Sequence, residues 1–320
     1  FSHKAQMQRD NQTTPRGFVL TGFSHFPEFQ VALFVLFLLL HLLTLAGSMV
    51  IMVVIGADRG LHTPMYLFLG ALSFSELCYT FAITPKMLSG LVSGTRAISF
   101  LGCAAQMNFS FTFGFMHSFL LTAMGYDRYV AVCRPLRYNA LMTSRVCIHW
   151  VVASWLAGGL LGLLVTCAVF QLPFCRSHRI DHFFCHVPPL LQLACAGGET
   201  VATVVNVLCM TTLLGCFLLI LLSYAFILGH ILQMPSAEGR HKTFSTCASH
   251  VAVVVVHYGC ASVIYLRRRS PHVAGASALI DVSYTIFTPF LSPIIFSLRS
   301  KDLKSALWKA LRKSFVIRKA

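Results

Sequence analysis

Charge is what this sequence has least of. Charged side chains make up 11% of the 320 residues, only 10 of them acidic, against 56% hydrophobic residues and a mean hydropathy of +0.73. A soluble domain carries about 25% charged residues, so the deficit excludes a soluble globular protein. Other absences remove further classes. There is no lysine between Leu266 and Leu298, which excludes a seven-span light sensor holding retinal as a Schiff base in its last span. No nucleophile–base pair or metal motif is placed to run an enzyme. No inverted repeat or pair of broken helices marks a transporter or channel, the rival reading from another class. No cysteine follows Cys260, so the C-terminal tail cannot be palmitoylated. The first residue is Phe1 and not Met, which points to a start that is missing, and no signal-peptide pattern precedes the first apolar run.

What is present is a series of long apolar runs. A helix needs about 20 mostly apolar residues to span a bilayer, and seven segments qualify, over 30–57, 63–88, 98–126, 146–170, 201–232, 243–266 and 276–298. The expected fold is therefore an all-α membrane protein, a seven-transmembrane helix bundle. Its parts are an outer tail over 1–29, the seven-span bundle over 30–298 and an inner tail over 299–320. In that tail Leu303, Leu307, Leu311 and Phe315 recur every fourth residue among lysines and arginines, the pattern of a short amphipathic helix on the inner leaflet.

The net charge of +15 has to be read loop by loop, and it does not call for nucleic acid. With the N-terminus outside, 15 of the 25 basic residues fall inside, namely Arg59, Arg128, Arg134, Arg137, Arg145, Arg240, Lys242 and eight beyond Leu298. The run Arg267, Arg268 and Arg269 on the outer side weakens that bias. "NQT" at Asn11 is a glycosylation sequon on an outer tail, whereas "NFS" at Asn108 lies in mid-span. Four cysteines, Cys103, Cys175, Cys185 and Cys195, fall on the outer side, enough for two disulfides with three possible pairings. The outer loop also carries His178, His182 and His186 around Cys185, a spacing that suits zinc or copper. A disulfide-bonded Cys185 would be no thiolate ligand, so these are read as ordinary loop histidines and no metal or cofactor is assigned.

Two charged features stand out within the spans. Glu76 sits near the middle of the second, where a carboxyl costs roughly 2.5–3.5 kcal/mol and normally faces a partner or water. From Ala97 to Tyr126 there is not one Asp, Glu, Lys or Arg, and then Asp127 and Arg128 arrive together. The fourth span, "ASWLAGGLLGLL", has the small residues that allow close helix packing.

Five motifs carry a resemblance: "LHTPMYLFLGALSFSELCYT" (61–80), "AMGYDRYVAVCRPLRY" (123–138), "SYAFIL" (223–228), "HKTFSTCASHV" (241–251) and "TPFLSPIIFSLRS" (288–300). In this order and on these spans, the chain resembles the olfactory receptors, a branch of the rhodopsin-like G-protein-coupled receptors. The resemblance covers nearly the whole chain after about Thr14. It implies a cell-membrane receptor for a small volatile odorant that activates a stimulatory G protein and raises cyclic AMP, with a trafficking chaperone as a further partner. A receptor for another small ligand in non-olfactory tissue is the alternative. It implies that Asp127, Arg128 and Tyr129 hold the resting state, Arg128 paired with Asp127 until the sixth helix swings out, with Tyr224 and His250 facing the same inner cavity. It implies the pairings Cys103–Cys185 and Cys175–Cys195. It places the ligand among Ser110, Phe111, Gly114 and Phe115 of the third span and Leu208 and Thr212 of the fifth. Tyr258, Ala261, Ser262 and Tyr265 of the sixth and Asp281 and Thr285 of the seventh complete the set. Such a set suits a neutral, moderately apolar ligand, with acids second, and Asp281 is expected to pair with Arg267–Arg269 rather than to bind an amine.

The chain departs from the family at four linked positions. Ser48 stands where Asn is usual, Glu76 where Asp is commoner, and Ser292 and Phe296 replace Asn and Tyr. Ser offers fewer hydrogen-bonding groups than Asn and Phe296 has no hydroxyl to reach Tyr224, so a weakened switch is expected. Restoring Asn at 48 and 292 with Tyr at 296 is expected to raise signalling.

Overall fold

The computed structural model describes residues 17–22, 27–92, 96–175, 178–266 and 274–317. Asn11 and Arg267–Arg269 lie outside them, as do the side chains of Tyr265, Leu311 and Phe315. Among the described residues, seven long helices follow the expected apolar runs, α3 and α6 extending several residues beyond theirs: α1 (Gln30–Ala57), α2 (Pro64–Val92), α3 (Phe100–Cys133), α4 (Ser144–Phe170), α5 (Gly198–Leu232), α6 (Ala237–Leu266) and α7 (Ala274–Arg299). Five of them, α1, α2, α4, α5 and the Ile280–Ser297 stretch of α7, are long and apolar enough to cross a membrane. Helix α6 adds a sixth when Ala237–Ser245 and Cys247–Ser262 are taken as one span.

Helix α3 falls short of that apolarity for a structural reason. It packs against α2, α4, α5 and α6, so its faces meet protein, and Gln106, His117, Ser118 and Asp127 are buried along it. The outer helices show the converse pattern, with Leu214, Leu218, Leu219, Leu221 and Leu222 of α5 each about half exposed, as lipid-facing residues are. Between helices in lipid, close van der Waals packing replaces the hydrophobic drive. At the α3–α4 seam a Cβ on Gly158 would stand 2.7 Å from the Thr112 carbonyl oxygen, so glycine is required there.

The expectation of helices alone missed a small cap. β1 (Gly17–Leu20) lies between β2 (Ala97–Ser99) and β3 (Arg179–Ile180), antiparallel to the first and parallel to the second. Alternation explains it, since Phe18 and Leu20 are buried while Val19 is 37% exposed. The Phe18 ring packs 6.0 Å from Phe100 and 5.6 Å from Phe174, tying three segments together above α3.

At the opposite end Ser300 separates α7 from α8 (Lys301–Ile317). Its hydroxyl accepts from the Leu303 amide at 3.1 Å and meets the Tyr66 hydroxyl at 2.9 Å. Leu303 and Ala306 are buried and Lys304, Ser305, Trp308 and Lys309 exposed; of the four residues expected to form one apolar face, Leu303 is buried and Leu307 partly buried.

Candidate ligand cavity and switch residues

Two regions on α3 hold most of the singled-out residues, one at each end. At the capped end a cavity of about 140 Å³ opens between α2, α3, α5, α6, α7 and the loop that precedes α5. Seven of the twelve residues expected to touch ligand line it: Ser110, Phe111, Gly114, Phe115, Ala261, Asp281 and Thr285. Four do not. Leu208 packs against the cluster beneath the cap, and Thr212 donates to the Leu208 carbonyl at 2.8 Å. Tyr258 turns into the core beside Phe217, 5.0 Å between rings, and Ser262 is exposed and donates back to Tyr258. Thr212, Tyr258 and Ser262 are each one position from a cavity-lining residue of their helix, Leu213, His257 and Ala261, which a carry-over by position does not resolve; Leu208 lies five positions from Leu213.

The structure brings in residues that the sequence reading did not single out. His117 and His257 stack with ring centroids 4.6 Å apart in the cavity wall, and the Ser118 hydroxyl lies 2.9 Å from His257 Nε2. Phe113, Phe184, Leu213, Tyr284 and Thr288 complete much of the lining. A histidine in an apolar span is the signal that could have marked the first two.

The lid over the cavity is fixed by both disulfides. Cys103 is bonded to Cys185 and Cys175 to Cys195, each with Cα atoms 5.5 Å apart. Gln106, one turn after Cys103, adds a second tie. Its Oε1 accepts from the Cys185 amide at 2.9 Å while its Nε2 donates to the Ala82 carbonyl at 3.0 Å. From the lid His182 and His186 point at Asp281, with His182 Nε2 3.6 Å and His186 Nδ1 4.0 Å from its Oδ2. The arginines expected to pair with Asp281 lie outside the described residues.

Below the cavity is a buried polar cluster. Glu76 has Ser48 and Ser292 beside it and His117 Nδ1 at 3.9 Å. Neither carboxylate oxygen of Glu76, nor either serine hydroxyl, has a hydrogen-bond partner among the described residues. Asparagine carries more hydrogen-bonding groups than serine.

At the far end of α3, Arg128 donates to Asp127 Oδ2 from Nη2 at 2.7 Å and from Nε at 3.2 Å. The Tyr138 hydroxyl donates to Asp127 Oδ1 at 2.8 Å. Burial and the adjacent Asp127 carboxylate both push the Tyr138 phenol up from its ordinary pKa, so it stays a donor. Asp127 is fully buried. Removing one partner of a buried ion pair typically costs 3–5 kcal/mol, because the other charge is left uncompensated. Tyr129 does not join this network; its half-buried ring sits 5.7 Å from Phe226.

Tyr224 and His250 form a separate bridge. The Tyr224 hydroxyl is 2.8 Å from His250 Nδ1, and His250 Nε2 is 2.9 Å from the Leu121 carbonyl. A carbonyl can only accept, so Nε2 carries the proton and Nδ1 of the neutral ring accepts from the tyrosine. One imidazole thereby links α5, α6 and α3. Phe296 is fully buried in the same core cluster, and Tyr224 already has its partner without it.

The family model for olfactory receptors matches residues 37–314. Olfactory receptor 10H1 of Homo sapiens is 60% identical over 304 residues, covering 95% of this chain and 96% of that protein. Olfactory receptor 10H28 of Mus musculus is 53% identical over 310 residues, 96% of this chain and 98% of its own. Olfactory receptor 10Z1 of Homo sapiens is 50% identical over 306 residues, again 96% and 98%. With apolar helices of spanning length, two disulfides in the lid and this match along nearly its whole length, the chain is a multi-pass membrane protein and no enzyme: it belongs to the olfactory receptor family.

Proposed function

We propose that the protein is an odorant receptor that takes a small, neutral, moderately apolar molecule into the cavity beneath the lid and activates a stimulatory G protein, raising cyclic AMP. The observation that carries the reading is that one helix, α3, lines the cavity with Ser110, Phe111, Gly114 and Phe115 and carries the Asp127–Arg128 pair in its last two turns. A ligand that shifts α3, α6 or α7 at one end therefore acts on the latch at the other. The size agrees, since a cavity near 150 Å³ accommodates a benzene-sized molecule. Phe111, Phe113, Phe115, Phe184, Leu213 and Pro289 supply apolar contact, and the Ser110, Tyr284, Thr285 and Thr288 hydroxyls supply orientation. The imidazoles of His117, His186 and His257 in the same wall support acids as the second class.

In this reading the N-terminus and lid are extracellular, Asp127 and Arg128 face the cytoplasm, and α8 lies on the inner leaflet, its basic residues each contributing about 1 kcal/mol near anionic lipid. Activation parts α6 from α3, breaks the Tyr224–His250–Leu121 bridge and frees the Arg128 guanidinium for the G protein. The test is cyclic-AMP output in cells carrying the chain, an olfactory-type stimulatory G protein and a trafficking chaperone, against neutral, acidic and amine odorants. The expected result is a response to neutral odorants that vanishes in Arg128→Ala at equal surface staining. A response confined to amines and lost in Asp281→Asn overturns the ligand class, and a response that survives Arg128→Ala overturns the latch.

A further inference from the structure

His182, His186 and Asp281 come from two parts of the chain, the lid and α7, and their ligand atoms all lie within 4.8 Å of one another. We propose that these three side chains bind a zinc ion that clasps the lid to α7 over the mouth of the cavity. Zinc takes imidazole nitrogen and carboxylate oxygen at about 2.0–2.2 Å in tetrahedral geometry, which sets its ligand atoms roughly 3.3–3.5 Å apart. The 3.6 Å between His182 Nε2 and Asp281 Oδ2 already meets that spacing. The 4.0 Å to His186 Nδ1 needs about half an ångström more closure. His186 is the member able to give it, since its side chain is 19% exposed and sits in the loop, while His182 and Asp281 are buried.

The surroundings hold the group in place. Cys185, between the two histidines, is bonded to Cys103 and donates its amide to Gln106. The His182 ring stands edge-on to Phe184, 4.5 Å between centroids, and tilts toward His186 at 4.9 Å. Metal at His182 Nε2 leaves the ring proton on Nδ1, so the long 3.4 Å contact from the Phe184 amide is given up. The sequence spacing had pointed to Cys185 as a partner of these histidines, but the disulfide removes it and the carboxylate of α7 takes its place. Three protein ligands would leave a fourth position for water, beside the cavity that His186 and Asp281 both line.

The experiment uses full-length receptor without a polyhistidine tag in nanodiscs. Zinc binding is measured by calorimetry, and cobalt(II) serves as a spectroscopic probe of coordination. The expected result is one zinc per receptor at micromolar concentration and the visible absorption of tetrahedral cobalt. Asp281→Asn and His186→Ala should each weaken zinc at least tenfold, Asp281→Glu should restore it, and His178→Ala, in the same loop but outside the group, should change nothing. A thermal unfolding transition on each variant separates loss of the site from loss of the fold. Wild-type receptor that unfolds cooperatively yet takes up no zinc below about 100 µM, or Asp281→Asn binding as tightly as wild type, overturns the proposal. Neither readout depends on signalling, so the result is independent of the odorant reading.

Discussion

Gln106 is the residue on which the joint between lid and bundle can be tested most directly. Gln106→Met keeps the length and approximate volume of the side chain but removes both hydrogen bonds, to the Cys185 amide and the Ala82 carbonyl. A buried donor or acceptor left unsatisfied costs about 1–3 kcal/mol. Gln106 is 6% exposed and its bond to Cys185 is buried, so water does not easily replace the glutamine there. The Cys185 amide bears the full penalty and the Ala82 carbonyl, with a second lone pair in its helix, bears less. The sum is about 2–4 kcal/mol. For a chain of this size each kcal/mol lowers the midpoint by about 2 °C, so the expected drop is roughly 4–8 °C. The assay is thermal unfolding of purified receptor in nanodiscs, followed by a thiol-reactive dye. Cys147, Cys216 and Cys247 are buried thiols outside the disulfides and report when the bundle opens. Gln106→Glu sharpens the test. Protonated, it keeps an acceptor for the Cys185 amide and an O–H donor for the Ala82 carbonyl at the cost of holding a buried carboxyl neutral, so below the pH at which that carboxyl ionises it should fall between wild type and Gln106→Met. A Gln106→Met midpoint within 1 °C of wild type would refute the arrangement.

Two other outcomes follow from packing and polarity. Gly158→Ala forces a Cβ to within 2.7 Å of the Thr112 carbonyl oxygen and should destabilise by about 1–3 kcal/mol, whereas at Gly159 nothing lies within 4 Å and Gly159→Ala should be neutral in the same unfolding assay. Ser48→Asn with Ser292→Asn offers amide groups to the unsatisfied Glu76 carboxyl and should raise both the midpoint and ligand-driven cyclic AMP per surface receptor. Adding Phe296→Tyr to that pair should lose part of the gain, because the new hydroxyl is buried where Tyr224 is already bonded to His250. Equal midpoints for the double and triple variants would contradict that account.

Much of the candidate site could be read from the chain, and the misses have identifiable causes. Ser110, Phe111, Gly114 and Phe115 all line the cavity, because residues four apart lie on the same face of a helix. Tyr258 and Ser262 were expected beside Ala261 but face the core and the outside, since adjacent helical positions point in different directions. His117 and His257 went unmarked because each is a lone polar residue in an apolar run, and only the packing of α3 against α6 makes them a pair.

The sequence by itself determined the bundle. Apolar runs of bilayer length leave helices as the one way to satisfy the backbone in lipid, and Asp127 and Arg128 mark the end of the apolar run of the third span, although α3 itself continues to Cys133. The pattern of residues 301–317 likewise carries its own amphipathic face. Tertiary structure alone decided everything that depends on two segments meeting. It chose one disulfide pairing out of three, brought Gly17–Leu20 into a sheet with the lid, and turned Gln106 toward the Cys185 amide. It set Asp281 against His182 and His186, residues nearly a hundred positions away. Periodicity is a local property of the chain, whereas such contacts depend on how the helices pack together, and no single segment encodes that.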